Sequence, residues 1–268
     1  MPAVSRSEAP ILQLQNVSAS YRRGGLFSGR PEPVLRDISL SVRQGEAMGL
    51  LGESGSGKST LGRVILGLLP AQSGTIRFDG RELPRTAGPA WRTLRRRIQA
   101  VFQDSNSTLH PAHSILWSLT EPLRIHGIGT PQEREAQALA MLAEVGLEPG
   151  LARSMPKSLS GGQRQRVGIA RALMLSPELI VADEPVSALD VSVQAQVLNL
   201  LKSIQQRRGL TILFISHDMA VVEAFCDRAV VMEKGELVEI GSPAQLFRDP
   251  KAAATKRLCN VHTGREPA

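Results

Sequence analysis

A chain of 268 residues that is 42% hydrophobic can bury a packed core, but it leaves little room for two large independent domains. No window approaches the roughly 20 consecutive apolar residues that a membrane-spanning helix needs. The opening MPAVSRSEAP also lacks the apolar stretch of a secretory signal, so a soluble cytosolic chain is expected. A net charge of +7 is compatible with nucleic acid, an anionic membrane surface or a polyanionic small ligand, and charge alone does not choose among them. The two cysteines, Cys226 and Cys259, have no C-x-x-C spacing and read as small buried hydrophobes.

Along the chain, short apolar β-branched runs alternate with segments of helical period, the pattern of an α/β protein with a largely parallel sheet. Ile11–Val17, Ala47–Leu51, Ile98–Phe102, Leu179–Ala182 and Thr211–Ile215 are predicted strands. Gly24–Pro33, rich in Gly, Pro and Arg, reads as a loop between two early strands. The run Leu61–Leu69 is predicted helical. So is Pro131–Val145, which opens on proline and stops at Gly146. Ser192–Arg208 places Val193, Val197, Leu200, Leu201 and Ile204 on one face and reads as a helix covering a sheet. Strand runs cease between about Ser105 and Pro156, which marks a helical insert. Beyond about Pro250 the chain turns polar and basic without periodicity, so a loose tail is expected.

The most specific signal is Gly52-Glu53-Ser54-Gly55-Ser56-Gly57-Lys58-Ser59, which fits G-x-x-x-x-G-K-[ST] between a strand and a helix. Its glycines let successive amides turn into one concavity, where phosphate oxygens meet N–H donors and the positive end of a helix. Lys58 adds charge between the β and γ phosphates, and Ser59 can ligate Mg²⁺. A second signal is Leu179-Ile180-Val181-Ala182-Asp183-Glu184, two acids at the tip of an apolar strand. Burying consecutive carboxylates costs free energy unless a cation compensates, so Asp183 suits holding Mg²⁺ and Glu184 polarising a water. A third is Leu159-Ser160-Gly161-Gly162-Gln163 ahead of a basic helical run, a further anion-binding helix start.

With these three motifs in this order, the chain resembles the ATP-binding cassette (ABC) ATPases. The resemblance implies an α/β P-loop NTPase fold with a RecA-like core, an antiparallel β subdomain and a helical insert. On that pattern 1–268 is one cassette, with 11–104 and 165–250 forming the core and β subdomain, 105–164 the helical subdomain and 251–268 the basic tail. By the same resemblance ATP and Mg²⁺ are the ligands, held by Gly52 through Thr60: Gly52, Glu53, Ser54, Gly55, Ser56, Gly57, Lys58, Ser59 and Thr60. Tyr21 matches the aromatic that stacks on adenine, Gln103 the glutamine that senses Mg²⁺ and water, and His217 the γ-phosphate histidine. Asp190 closes the dimer-contact loop Ser187-Ala188-Leu189-Asp190. The family's mechanism sandwiches two ATPs head to tail between two subunits, so that Ser160, Gly161, Gly162 and Gln163 close over the partner's nucleotide. Glu184, Gln103 and His217 are then the catalytic set, and Ser59, Gln103 and Asp183 the metal set.

Finer runs, DEPVSALDVSVQAQVLNLL, LFISHDMAVVEAFCDRAVVM and VFQDSNSTLHP, resemble the ATPase subunits of the peptide and nickel importer family. That resemblance implies a peripheral subunit on the cytoplasmic face of the cell membrane, with a related second ATPase, two permeases and an extracytoplasmic binding protein. A permease helix is expected to dock on the insert near Ser105–Gly129. Ser105, where F-Q-D-P is common, and Pro250-Lys-Ala-Ala-Ala-Thr255, which lacks His-Pro-Tyr, lean to the nickel side. The rival reading is a soluble ABC ATPase acting on nucleic acid in repair or translation. Such proteins carry two cassettes or a long coiled coil, whereas only about a hundred residues without a heptad run separate Lys58 from Ser160. His110 and His113 form an H-x-x-H lacking a third ligand nearby, and Arg92–Arg97 lacks interleaved aromatics. The first reads as no metal site and the second as a solvated helix face.

Overall fold

Apolar side chains at two-residue spacing make β1, Pro10–Arg22, a strand with one buried face that carries Leu12, Leu14, Val17 and Ala19. The alternation slips between Leu14 and Val17, where the pairing register shifts and Asn16 adopts φ 53, a bulge conformation that asparagine tolerates. The structure is a computed structural model that describes residues 10–22, 31–85, 88–103 and 109–263. The chain divides into two compact units, one formed up to Arg95 and from Gln205 onward, the other by Arg96–Ile204.

In the first unit β1 joins β2 (Pro31–Arg43), β4 (Ser73–Phe78) and β5 (Arg81–Glu82) in a four-stranded antiparallel sheet ordered β2-β1-β4-β5. A second set of strands surrounds β3, Ala47–Leu51, which runs parallel to β8 (Thr211–Ser216) on one side and β9 (Arg228–Glu233) on the other. Strand β10, Glu236–Gly241, closes this set antiparallel to β9. Every residue of β3 and β8 is buried, which is why both read as unbroken apolar runs. Helices of this unit are α1 (Lys58–Ile65), α7 (Met219–Phe225), α8 (Pro243–Arg248) and α9 (Ala253–Thr263). Helix α2, Pro89–Arg97, runs to the unit's end.

The second unit pairs β6 (Ile98–Phe102) parallel to β7 (Leu179–Asp183). A bidentate pair between Arg97 and Glu178, with Nη2 to Oε2 at 2.7 Å, ties the starts of the two strands. Around them lie α3 (Ile115–Ile125), α4 (Pro131–Glu144) and α5 (Gly161–Leu173), and α6 (Val191–Arg208) begins here. Helix α4 starts where proline and an acid predict. Thr130 Oγ1 accepts from Glu133 N at 3.3 Å while Glu133 Oε2 accepts from Thr130 N at 2.7 Å.

Several elements differ from the sequence reading. Strands β2, β4, β5, β9 and β10 were not among the predicted runs: polar and charged residues interrupt the apolar ones in β2, β4 and β10, β5 is an Arg-Glu pair, and β9 is four apolar residues between Arg228 and Glu233. Pro31–Pro33, expected in a loop, belong to β2, and the rest of that loop lies outside the described residues. The predicted helix Leu61–Leu69 ends early. Gly67, at φ 66, turns the chain after Leu66, and Leu68 N donates back to Arg63 O at 2.9 Å. Gly67 is also where Trp91 packs, since an added Cβ would stand 2.2 Å from the indole Cζ2. Gly67→Ala is therefore expected to lower the unfolding free energy by about 1–3 kcal/mol. An unchanged denaturant midpoint would show that Trp91 moves aside freely.

The tail is the clearest correction. Ala253–Thr263 form α9, in which Ala254, Thr255 and Cys259 are buried, and 264–268 lie outside the described residues. Glu239 of β10 fixes its entry, accepting from Lys251 N at 3.0 Å and Ala252 N at 2.9 Å. Small apolar residues mixed with lysine and arginine hid a helix whose buried face needs only small side chains.

Candidate nucleotide-binding site

The phosphate loop leaves the buried end of β3 and enters α1, as its motif requires. Gly52 has φ 156, and an added Cβ would lie 2.3 Å from Met232 O, so only glycine lets the loop pass β9. Gly57, at φ 108, caps α1 and is crowded by Met232, Leu35 and Val34. The loop is held by Ser56 N donating to Glu53 O at 3.2 Å and by Gly235 N donating to Ser56 O at 2.9 Å. Lys58 is 6% exposed, and its Nζ donates to Gly52 O at 2.7 Å and Glu53 O at 2.8 Å, so the ammonium folds back across the concavity. Ser56 Oγ is buried and meets no hydrogen-bond partner among the described residues. A phosphate oxygen seated in the loop could satisfy such a hydroxyl.

Two other predicted residues of the first unit come to the same region. β3 and β8 pair Leu51 with Ser216, so Gly52 and His217 leave the sheet at one edge, the carboxyl edge where α/β proteins bind ligands. His217 is exposed there. Tyr21, half-buried, is tied to the first turns of α1: its hydroxyl lies 3.4 Å from Thr60 Oγ1 and accepts from Arg63 Nη1 at 3.1 Å. Burial pushes the phenol pKa up, but the Thr60 and Arg63 hydrogen bonds and the Arg63 charge outweigh it and leave it lowered. Arg63 was not among the predicted site residues. Its place one helical turn after Ser59 is the signal that would have found it.

In the second unit β6 and β7 pair Phe102 with Asp183, so Gln103 and Glu184 emerge together at the ends of neighbouring parallel strands. Asp183 and Glu184 are half-buried and Gln103 is exposed, so the strand tip is less enclosed than its apolar run predicts. Glu184 adopts φ 48, uncommon outside glycine and asparagine, and its carbonyl accepts from Ser187 Oγ at 3.2 Å. The chain therefore turns sharply between the two acids.

Ser160 caps α5 in a reciprocal box, accepting from Gln163 N at 3.3 Å while Gln163 Oε1 accepts from Ser160 N at 2.9 Å. The glycines fit against the loop before α6. An added Cβ would meet Leu189 at 3.5 Å from Gly161 and Val193 Cγ1 at 2.4 Å from Gly162. Asp190 accepts from Val193 N at 3.0 Å and Ser192 Oγ at 2.8 Å, and these bonds hold its carboxyl below the usual range. The unit thus brings Ser160–Gly162 and Leu189–Val193 together, a contact that sequence spacing does not reveal.

Other predicted features took structural roles or stay outside the site. His110 and His113 lie 4.6 Å apart between ring centroids, and His113 stacks on Trp117 at 3.7 Å. Among the described residues no group of three His, Cys, Asp or Glu is arranged to hold a metal ion. Arg92, Arg95 and Arg96 are exposed on α2. Ser105 falls outside the described residues. No described helix is long and apolar enough to cross a membrane.

A phosphate loop between a buried strand and a helix, beside a parallel sheet edge, defines a P-loop nucleotide-binding protein. The chain belongs to the ABC transporter family, whose model matches residues 35–187 and so takes in the phosphate loop, Gln103, Ser160–Gln163, Asp183 and Glu184. It is 45% identical to a putative peptide import ATP-binding protein of Brucella ovis over 97% of this chain and 81% of the relative. It is also 44% identical to the glutathione import ATP-binding protein GsiA of Pectobacterium atrosepticum, covering 97% of this chain and 42% of that one. Among solved structures, the ATP-binding cassette MJ0796, dimeric and bound to ADP and Pi, superposes at TM-score 0.77 with 32% identity, covering 87% and 98% of the two chains. CbiO1 of Clostridium perfringens, part of the transporter complex cbiONQ, gives 0.79 with 29% identity over 96% and 97%.

Proposed function

We propose that this chain is the ATP-hydrolysing subunit of a membrane importer for peptides, working at the cytoplasmic face of the membrane. The observation that carries the reading is the 45% identity, over nearly the whole chain, to a protein named for peptide import. The GsiA relative, of whose length this chain spans 42%, supports the same cargo class. The nucleic-acid reading gains no support from these relatives.

In this reading the loop amides, the Ser56 hydroxyl and Lys58 take up the phosphates, and Tyr21 stacks on the adenine. Gln103, Asp183 and the Ser59 hydroxyl are hard oxygen donors of the kind Mg²⁺ prefers. Mg²⁺, when bound, would neutralise phosphate charge. Glu184 polarises the attacking water, His217 holds the γ-phosphate, and Asp190 orders the dimer-contact loop. Ser160 through Gln163 meet the nucleotide of a second ATPase subunit, related but not identical, and both ATPases serve two permeases and a binding protein.

Nickel or a metal chelate is the second cargo reading, resting on Ser105 and on Pro250–Thr255. The latter tract has a packing explanation, since Ala254 and Thr255 are buried at the start of α9. Turnover per subunit in the dilute chain alone should be slow and rise steeply with concentration, and should be much faster in the reconstituted assembly. Peptide with binding protein should stimulate the assembly, and nickel should not. Equal rates for the dilute chain and the assembly would sink the two-subunit site, and stimulation by nickel alone would transfer the cargo to the metal class.

A further inference from the structure

Glu53, in the phosphate loop, is tied to a segment that no motif connects with nucleotide binding. Its carboxylate accepts from Arg257 Nε of α9 at 3.2 Å, and the same guanidinium binds Glu233 at the end of β9. Helix α9 is anchored independently of this pair. Glu239 holds the backbone before its first turn, Ala254 and Thr255 are buried, and Cys259 Sγ lies 3.7 Å from Met219 Sδ and 3.6 Å from Leu246 O. Arg257 therefore projects from a fixed base towards the loop. A cavity of about 110 Å³ remains beside it, bordered by Gly55, Ser56, Met232 and Lys234, so the ion pair spans space that side-chain packing does not fill.

Glu53 links this anchor to the lysine of the loop. Its side chain is held by Arg257 while its carbonyl accepts from Lys58 Nζ at 2.8 Å. Three residues on, the Ser56 carbonyl is held by Gly235 N at 2.9 Å. The loop is thus pinned at two points on the side that carries α9 and the β9–β10 turn. A loop held in its binding conformation loses less entropy when phosphate arrives, and binds correspondingly tighter.

We propose that Arg257 is a positioning residue for the phosphate loop, acting through Glu53 to set the affinity for nucleotide and leaving the hydrolytic step untouched. The proposal rests on the reading of this loop as the phosphate site of ATP. Both partners are substantially exposed, 43% and 61%, so the pair is partly screened and its effect is modest.

The test uses the full chain, alone for ATP binding and in its assembly for turnover. Arg257→Met, which keeps the aliphatic stem and removes the fork, is expected to raise both Kd and KM for ATP about two- to five-fold. Its kcat at saturating ATP should match the native chain, and Arg257→Lys should recover part of the affinity. The difference between native and Arg257→Met proteins should shrink towards about 1 M salt, where charges more than roughly 3 Å apart are screened. Equal KM values, a fall in kcat at unchanged KM, or an Arg257→Lys protein as weak as Arg257→Met would each overturn the proposal. A lowered melting temperature with unchanged ATP affinity would overturn it as well, making Arg257 a stability residue only. Failure of the native chain itself to bind ATP is a separate result, and it would remove the nucleotide reading together with the proposal.

Discussion

Glu184→Gln is expected to reduce ATP hydrolysis by about 10²–10⁴-fold while ATP binding is retained. The backbone can accept the change. Glu184 sits at φ 48 after β7 and its carbonyl is held by Ser187, and an amide of the same length demands no other conformation. What is lost is the carboxylate to which the proposed function gives polarisation of the attacking water. The phosphate loop, where Lys58 and the amides bind, is not altered. Phosphate release in a single turnover of the reconstituted assembly, measured beside ATP affinity, separates the two effects. Hydrolysis at the native rate would remove Glu184 from the catalytic role.

Lys58→Ala should act on the other side of that division, weakening ATP binding by about 10- to 150-fold. A hydrogen bond to a charged group contributes about 1.5–3 kcal/mol. Lys58 is 6% exposed, and its ammonium already bridges Gly52 O and Glu53 O, so truncation removes both the phosphate charge and the brace across the loop. Its loss of affinity should exceed that of Arg257→Met, because the proposed function has Lys58 meet the ligand directly while Arg257 acts through Glu53. Titration of ATP against the full chain checks the order, and an affinity within twofold of native would sink the phosphate role of Lys58.

The chemistry-bearing motifs were legible because each is local. The turn from β3 into α1 needs glycines within a few residues of a lysine, and the strand before Asp183 and Glu184 announces itself as a continuous apolar run. The cap at Ser160 is equally local, since Gln163 lies one helical turn away. Strands β3, β7 and β8 were read nearly to their ends for the same reason, as a strand buried on both faces carries its signal in composition, and the partly exposed β6 was read from its apolar run Ile98–Phe102. Strand β2 was not legible, because Arg36, Asp37 and Arg43 break its apolar alternation, and β9 was missed although its four central residues are buried.

By itself the sequence determined the α/β class, the phosphate-loop motif, the paired acids and the serine-glycine start of α5, since each depends on residue types at short fixed spacing. Only the tertiary structure decided that Tyr21 meets Thr60 and Arg63, that Gly162 faces Val193, and that Ala253–Thr263 form a helix whose Arg257 holds Glu53. Arg257 and Glu53 are 204 positions apart. No periodicity links them, because their meeting depends on where β9 and β10 carry the chain and on the burial of Ala254, Thr255 and Cys259 that seats α9. Side-chain contacts of that range are set by packing, which sequence spacing does not encode.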